Sequence, residues 1–167
     1  MRKDGVVAWP GVLREGGGTK VQYRREESRS DETMTPFEEI DHTADRAFRV
    51  SAPSREALFA EAAEALYCIG GLETEPASEK TRKIGLRADD PEGLLILWLN
   101  ELVFLLDRDR LALREIRIDR LTDTELQASG HPADVRSVGK YIKAATYSGL
   151  RITEQDGVWQ VTVVLDV

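Results

Sequence analysis

Trp159-Gln160-Val161-Thr162-Val163-Val164-Leu165-Asp166-Val167 reads as one β-strand along its whole length. Trp159, Val161, Val163 and Leu165 fall on one face, and Gln160, Thr162, Val164 and Asp166 on the other. Asp156-Gly157 just ahead of it is a hairpin-turn dipeptide. A strand with one apolar face needs something to bury it against, and residues 94–106 supply a candidate. From Leu94 to Leu106 only Asn100 and Glu101 are polar. Asp90 is placed to cap this segment and Pro91 to occupy its first position. A helix apolar on nearly all sides is expected to be buried on nearly all sides, with Trp98 and Phe104 as large packing groups. Asn100 and Glu101 then need partners, or a place where the helix meets water.

The remaining pattern points the same way. Ala47 to Ala52 alternates as a strand. Ser54 can cap a helix whose apolar stripe is Leu58, Ala62, Ala65, Leu66 and Ile69, with Gly70-Gly71 at its end. Thr81 to Ala88, Leu113 to Ile118 and Glu125 to Ser129 alternate again, and Tyr141 to Leu150 follows as a further β segment. The expected fold is α+β: a mostly antiparallel sheet with two main helices packed on it, in a single domain.

The chain has 167 residues, 41% apolar and 32% charged, an ordinary globular mix for one domain. Its net charge of −7 is uneven. Residues 1–33 hold seven Lys/Arg and six Asp/Glu, leaving 16 basic against 24 acidic residues, a formal −8, for the rest. Such a body repels a phosphate backbone, which argues against direct stable nucleic-acid binding, and suits a basic partner or cations. Residues 1–33 contain Gly16-Gly17-Gly18, a run of charges from Arg24 to Glu32 and little to bury. They read as a disordered extension, and residues 34–167 as the folded domain. The single cysteine, Cys68, excludes a disulfide framework and a cysteine-based zinc site, and reads as a packing residue. No apolar run is long enough to span a bilayer and no signal peptide is evident, so a cytoplasmic protein without membrane contact is expected.

Chemistry concentrates in Asp41-His42-Thr43-Ala44-Asp45 and in Asp166-Val167. Clustered oxygen donors suit a hard divalent cation. A solvated loop and an acidic sheet edge that discourages strand pairing are the plain alternatives. If the strands beginning after Asp45 and ending at Asp166 are antiparallel neighbours, their carboxylates meet at one end of the sheet. His42 and His131 have no neighbouring histidine at metal spacing and read as structural.

Asp41-His42-Thr43-Ala44-Asp45, Leu94 to Leu102, Tyr141-Ile142-Lys143-Ala144-Ala145-Thr146-Tyr147 and the Asp166-Val167 end, in this order, resemble the archease family over about residues 37–167. The resemblance implies a non-catalytic partner of an RtcB-type RNA ligase, the enzyme that joins phosphate-bearing RNA ends to 5′-hydroxyl ends in tRNA splicing and RNA repair. It implies faster guanylylation and multiple turnover of that ligase. It also implies a metal site on Asp45, Asp166 and Val167, taking Ca²⁺ first, with Mg²⁺ or Mn²⁺ as alternatives. Asp41, His42 and Lys143 are further functional candidates. The family usually has His after the Thr-Tyr pair, where this chain has Ser148. A general chaperone or assembly module for nucleic-acid enzymes is the competing expectation. A metal hydrolase stands behind both, with His42 and Lys143 as its only obvious candidates.

Overall fold

The structure, a computed structural model, describes residues 37–41 and 46–167. Two antiparallel sheets share two helices. The first sheet contains β1 (Phe37–Asp41), β2 (Arg46–Ala52), β9 (Val158–Asp166), β7 (Ala144–Thr146) and β8 (Thr153–Gln155). Its order is β1-β2-β9, with β7 and β8 pairing different stretches of the far side of β9. The second contains β3 (Leu72–Thr74), β4 (Arg82–Arg87), β5 (Leu111–Leu121) and β6 (Glu125–Val138). There β6 pairs β5 on one side, and β3 and β4 on the other. The α+β expectation holds: all these pairings are antiparallel, and α1 (Arg55–Gly70) and α2 (Pro91–Asp109) are the two helices.

Both helices begin, and α1 also ends, on residues that suit their caps. Ser54 Oγ accepts from Ala57 N at 3.1 Å, and Gly71 closes α1 at φ 58°. Asp90 Oδ1 accepts from Gly93 N at 2.6 Å, with Pro91 in the first turn of α2. α1 packs on β2, β5 and β9, and α2 on β4, β5 and β7, so one core serves both sheets. The inner face of β9 is buried from Val161 through Leu165. Trp98 Nε1 donates to Phe59 O at 3.1 Å and Tyr67 Oη accepts from Leu113 N at 3.1 Å, so the largest core groups keep their polar atoms paired.

Three readings of the sequence need correction. α2 is not buried on all sides: Leu97 is 39% and Phe104 45% exposed, because no described element covers that stripe. The Arg108 guanidinium lies 4.4 Å over the Phe104 ring instead. The strand expected over 141–150 is only Ala144–Thr146, ended by a turn in which Leu150 N donates to Tyr147 O and Gly149 adopts φ 63°. Conversely the strand expected over Glu125 to Ser129 runs on through Gly130-His131-Pro132 to Val138 as β6. A side chain at Gly130 would come within 3.1 Å of Arg114 O, where β5 bulges around Glu115 at φ 51°.

Candidate functional site

The register brings the sequence-predicted residues to one end of the first sheet. Asp41 pairs with Arg46 across β1 and β2, Arg46 with Leu165 across β2 and β9, and Leu165 with Ala145 across β9 and β7. This row crosses the whole sheet. The expected adjacency of the strand after Asp45 and the strand ending at Asp166 is therefore present. His42 and Asp45 lie outside the described residues, and Asp41 is described by its backbone.

Next to the row, Asp166 and Lys143 meet. Lys143 N donates to Asp166 O at 2.8 Å, which fixes the lysine's backbone beside the aspartate. The Lys143 Nζ then reaches Asp166 Oδ1 at 3.6 Å and the Val167 main-chain oxygen at 3.1 Å. Both side chains of the ion pair are about half exposed, 55% and 52%. An exposed pair of this kind contributes little to stability. Its value here is geometric. One cationic nitrogen within reach of both oxygens shows that donors from two residues converge on a single point at the surface.

That convergence is the test of whether a cation fits. The ammonium of Lys143 already occupies the place as a positive charge, and its contacts with Asp166 and Val167 are both to oxygens. A hard divalent ion prefers such a donor set over zinc. Among the described residues no group of three His, Cys, Asp or Glu side chains is spaced to hold a metal.

Other charges stand at this end that no sequence motif marks. Arg46 pairs with Glu39, and Lys140 stands close enough for both to affect it. Burial pulls the Lys140 ammonium below its usual range, Arg46 pulls it further, and Glu39 opposes them. The end of the sheet is thus of mixed charge: Glu39 and Asp166 interleave with Arg46, Lys140 and Lys143. Tertiary structure alone could have found this cluster, since Glu39 and Lys140 are far apart in the chain and unremarkable in the sequence.

β7 is held in place from the other side by α2. Asn100 Nδ2 donates to Ala145 O at 3.1 Å, and Ala145 N donates to Asn100 Oδ1 at 2.8 Å. The polar interruption of an apolar helix thus acts as a one-residue substitute for a neighbouring strand. Ser148 is exposed in the turn after β7. His131 Nδ1 lies 3.1 Å from Ser78 O, far from this end in the second sheet, in keeping with a structural histidine. Among the described residues no helix is long and apolar enough to cross a membrane.

A profile of the Archease protein family (MTH1598/TM1083) matches residues 37–167. The chain is 36% identical over 140 residues to protein archease of Methanosarcina barkeri, covering 78% of this chain and 95% of that one. It is 34% identical over 140 residues to protein archease of Methanopyrus kandleri, covering 79% and 99%. Among solved structures, the solution structure of protein 1598 of Methanobacterium thermoautotrophicum superposes with a TM-score of 0.59 at 27% identity, over 80% of this chain and all of that one. An archease of Thermotoga maritima shares the fold with a TM-score of 0.58 at 24% identity, covering 86% and 100%. With a family match across residues 37–167 and relatives of 34–36% identity covering more than three quarters of it, the chain belongs to the archease family.

Proposed function

We propose that this protein is a non-catalytic, metal-binding activator of an RtcB-type RNA ligase in the cytoplasm, acting in tRNA splicing or RNA repair. The observation that carries the reading is the meeting of Lys143 with Asp166 and Val167 at an exposed strand end, in a chain of this family. Asp45, Asp166 and Val167 would hold the divalent cation, with Asp41 and His42 as neighbours in the motif. Bound there, the ion would supply positive charge to offset negative charge developing on phosphate groups.

The chain's own residues have separate tasks. Asp166 and Val167 present oxygen donors at the surface rather than in a cleft, so they can enter another protein's site. Lys143 keeps those donors neutralised until a cation takes its place or a phosphate draws the ammonium away. The body's acidic excess attracts an enzyme whose active site must be basic to hold GTP and RNA phosphates. None of these tasks makes or breaks a bond, which places the reaction chemistry on the ligase.

The test uses the purified cognate ligase with GTP, divalent metal and RNA ends. The full chain should accelerate formation of the ligase–guanylate intermediate and allow repeated turnover, and Asp166→Asn should stay folded and lose both effects. Joining of RNA ends by the chain alone would make it an enzyme. Equal protection of unrelated proteins, without an effect on guanylylation, would make it a general chaperone.

A further inference from the structure

The large apolar side chains left exposed among the described residues are Leu97, Phe104, Val138, Tyr141 and Tyr147, and their placement is not scattered. Leu97 and Phe104 lie seven residues apart on the uncovered stripe of α2. The segment from Tyr141 to Tyr147 runs antiparallel beside that helix. At one end Tyr147 Oη lies 3.1 Å from the position that a side chain at Gly93 would take. In the middle Ala145 is clamped by Asn100. At the other end Tyr141 Oη donates to Asp107 Oδ2 at 2.8 Å. The two tyrosines, 56% and 62% exposed, therefore bracket the helix stripe. Val138 ends β6 three residues ahead of Tyr141.

Scattered exposed apolar residues mean little, but a contiguous group of them marks an interaction surface. This group is also rigidly presented. Tyr141 is tied to α2, Gly93 lacks the side chain that would push Tyr147 away, and Phe104 is covered on one side by Arg108. Fixed aromatic side chains lose little entropy on binding and are typical interface anchors. Lys143, which touches Asp166 and Val167, lies inside the same 141–147 segment, so the surface is continuous with the candidate site.

We propose that Leu97, Phe104, Tyr141 and Tyr147 form the docking face for the RNA ligase, engaging an apolar patch on it that is ringed by Arg and Lys. The inference rests on the ligase reading and deepens it. Charge selects the occupant. Glu101 and Asp107 flank the stripe, and the body beyond residue 33 carries a formal −8, with 16 basic and 24 acidic residues. Arg108 and Lys143 also stand in this surface, so the selection lies in net charge: a second copy brings the same −8 body and is repelled, whereas a net basic partner is attracted. The docking face provides affinity, and the Asp166 end acts within the complex once it has formed.

That division of labour sets the experiment. The full-length Leu97→Gln/Phe104→Gln double variant and, separately, Tyr147→Ser are titrated into the ligase with GTP, and the guanylylation rate is followed. The double variant should raise the concentration for half-maximal stimulation at least tenfold, yet reach the wild-type plateau at saturation. Asp166→Asn should do the reverse, lowering the plateau. Tyr147→Ser repeats the test at a second exposed position should the double variant melt early. If the wild type stimulates and both surface variants match its half-maximal concentration, the docking face is wrong while the ligase reading stands. If the wild type does not stimulate at all, both fall. If light scattering shows a wild-type dimer that the double variant dissolves, the face belongs to a second copy and the proposal is overturned.

Discussion

The ammonium of Lys143 stands 3.6 Å from Oδ1 of Asp166 and donates to the oxygen of Val167 at 3.1 Å. The lysine thus sits where an incoming divalent cation would be drawn. On the proposed metal-binding reading, cation and lysine would compete for the same oxygens, and the exchange would expose an ammonium beside a newly charged site. An ammonium freed in this way is suited to meet a phosphate of the ligase's substrate.

Lys143→Ala separates the two roles. With half-exposed partners, losing the ion pair should cost no more than about 0.5 kcal/mol of stability. Removing a positive charge from the half-exposed oxygen pair should tighten Ca²⁺ binding by about fivefold, the order of the ~1 kcal/mol between unit charges about 4 Å apart in water. Stimulation of the ligase should nonetheless be lost. Calorimetry with Ca²⁺ beside a guanylylation assay checks both. Weaker Ca²⁺ binding in the variant would show that the lysine supports the ion rather than competing with it.

Asn100 should matter to the site although it never touches it. Its amide closes both hydrogen-bonding groups of Ala145 and so holds the strand that carries Lys143. Asn100→Leu keeps the volume and removes both bonds, leaving a half-buried N–H and C=O unpaired. The expected cost is about 2 kcal/mol. Hydrogen exchange should show the Ala145 amide opening far faster than that of Val163, which lies in the middle of β9. Equal protection of the two would mean that β9 alone holds β7.

Much of the fold is legible in the sequence because local chemistry agrees with tertiary need. Ser54, Asp90 and Gly71 cap as their residue types predict, and the face of β9 follows its alternation. What misleads is periodicity without knowledge of neighbours. Leu97 and Phe104 look like core because nothing in α2's own pattern says which stripe lacks a covering element. The strand from Glu125 outruns its alternation because the pattern cannot show β5 bulging to meet Gly130-His131-Pro132. The site is legible in part for the same reason. Asp166 and Lys143 stand in motifs, whereas Glu39, Arg46 and Lys140 gain meaning only from tertiary structure.

A chain beginning at Met34 should melt at the temperature of the full chain. The family match starts at Phe37, and β1 through β9 with both helices lie beyond Met34. Residues 1–33 offer few apolar groups to bury. Differential scanning calorimetry on both chains checks this. A fall of more than about 3 °C, on the order of 1 kcal/mol for a domain of this size, would show that the segment contributes to the folded body.

Glu64 should make the protein less stable as pH rises above 4.5, the ordinary value of its carboxyl. It lies on α1, and its Oε2 is buried without a hydrogen-bond partner among the described residues. Burial pushes its carboxyl above the ordinary 4.5, Arg114 opposes the shift, and Glu61 one turn away adds to it. The folded state therefore holds the Glu64 proton more tightly than the unfolded chain does. The stability linked to that proton is complete below pH 4.5, the ordinary value, and is lost as pH rises through the folded value. Glu64→Gln has no proton to lose, so it should be more stable than wild type at pH 7 by about 1 kcal/mol, the scale of one unsatisfied buried polar group. The difference should shrink towards zero at pH 4. Some slope should remain in the variant, because burial raises Glu61 as well. Urea unfolding at pH 4 and pH 7 measures both. A gain of the same size at the two pH values would trace the effect to packing of the amide and not to the proton.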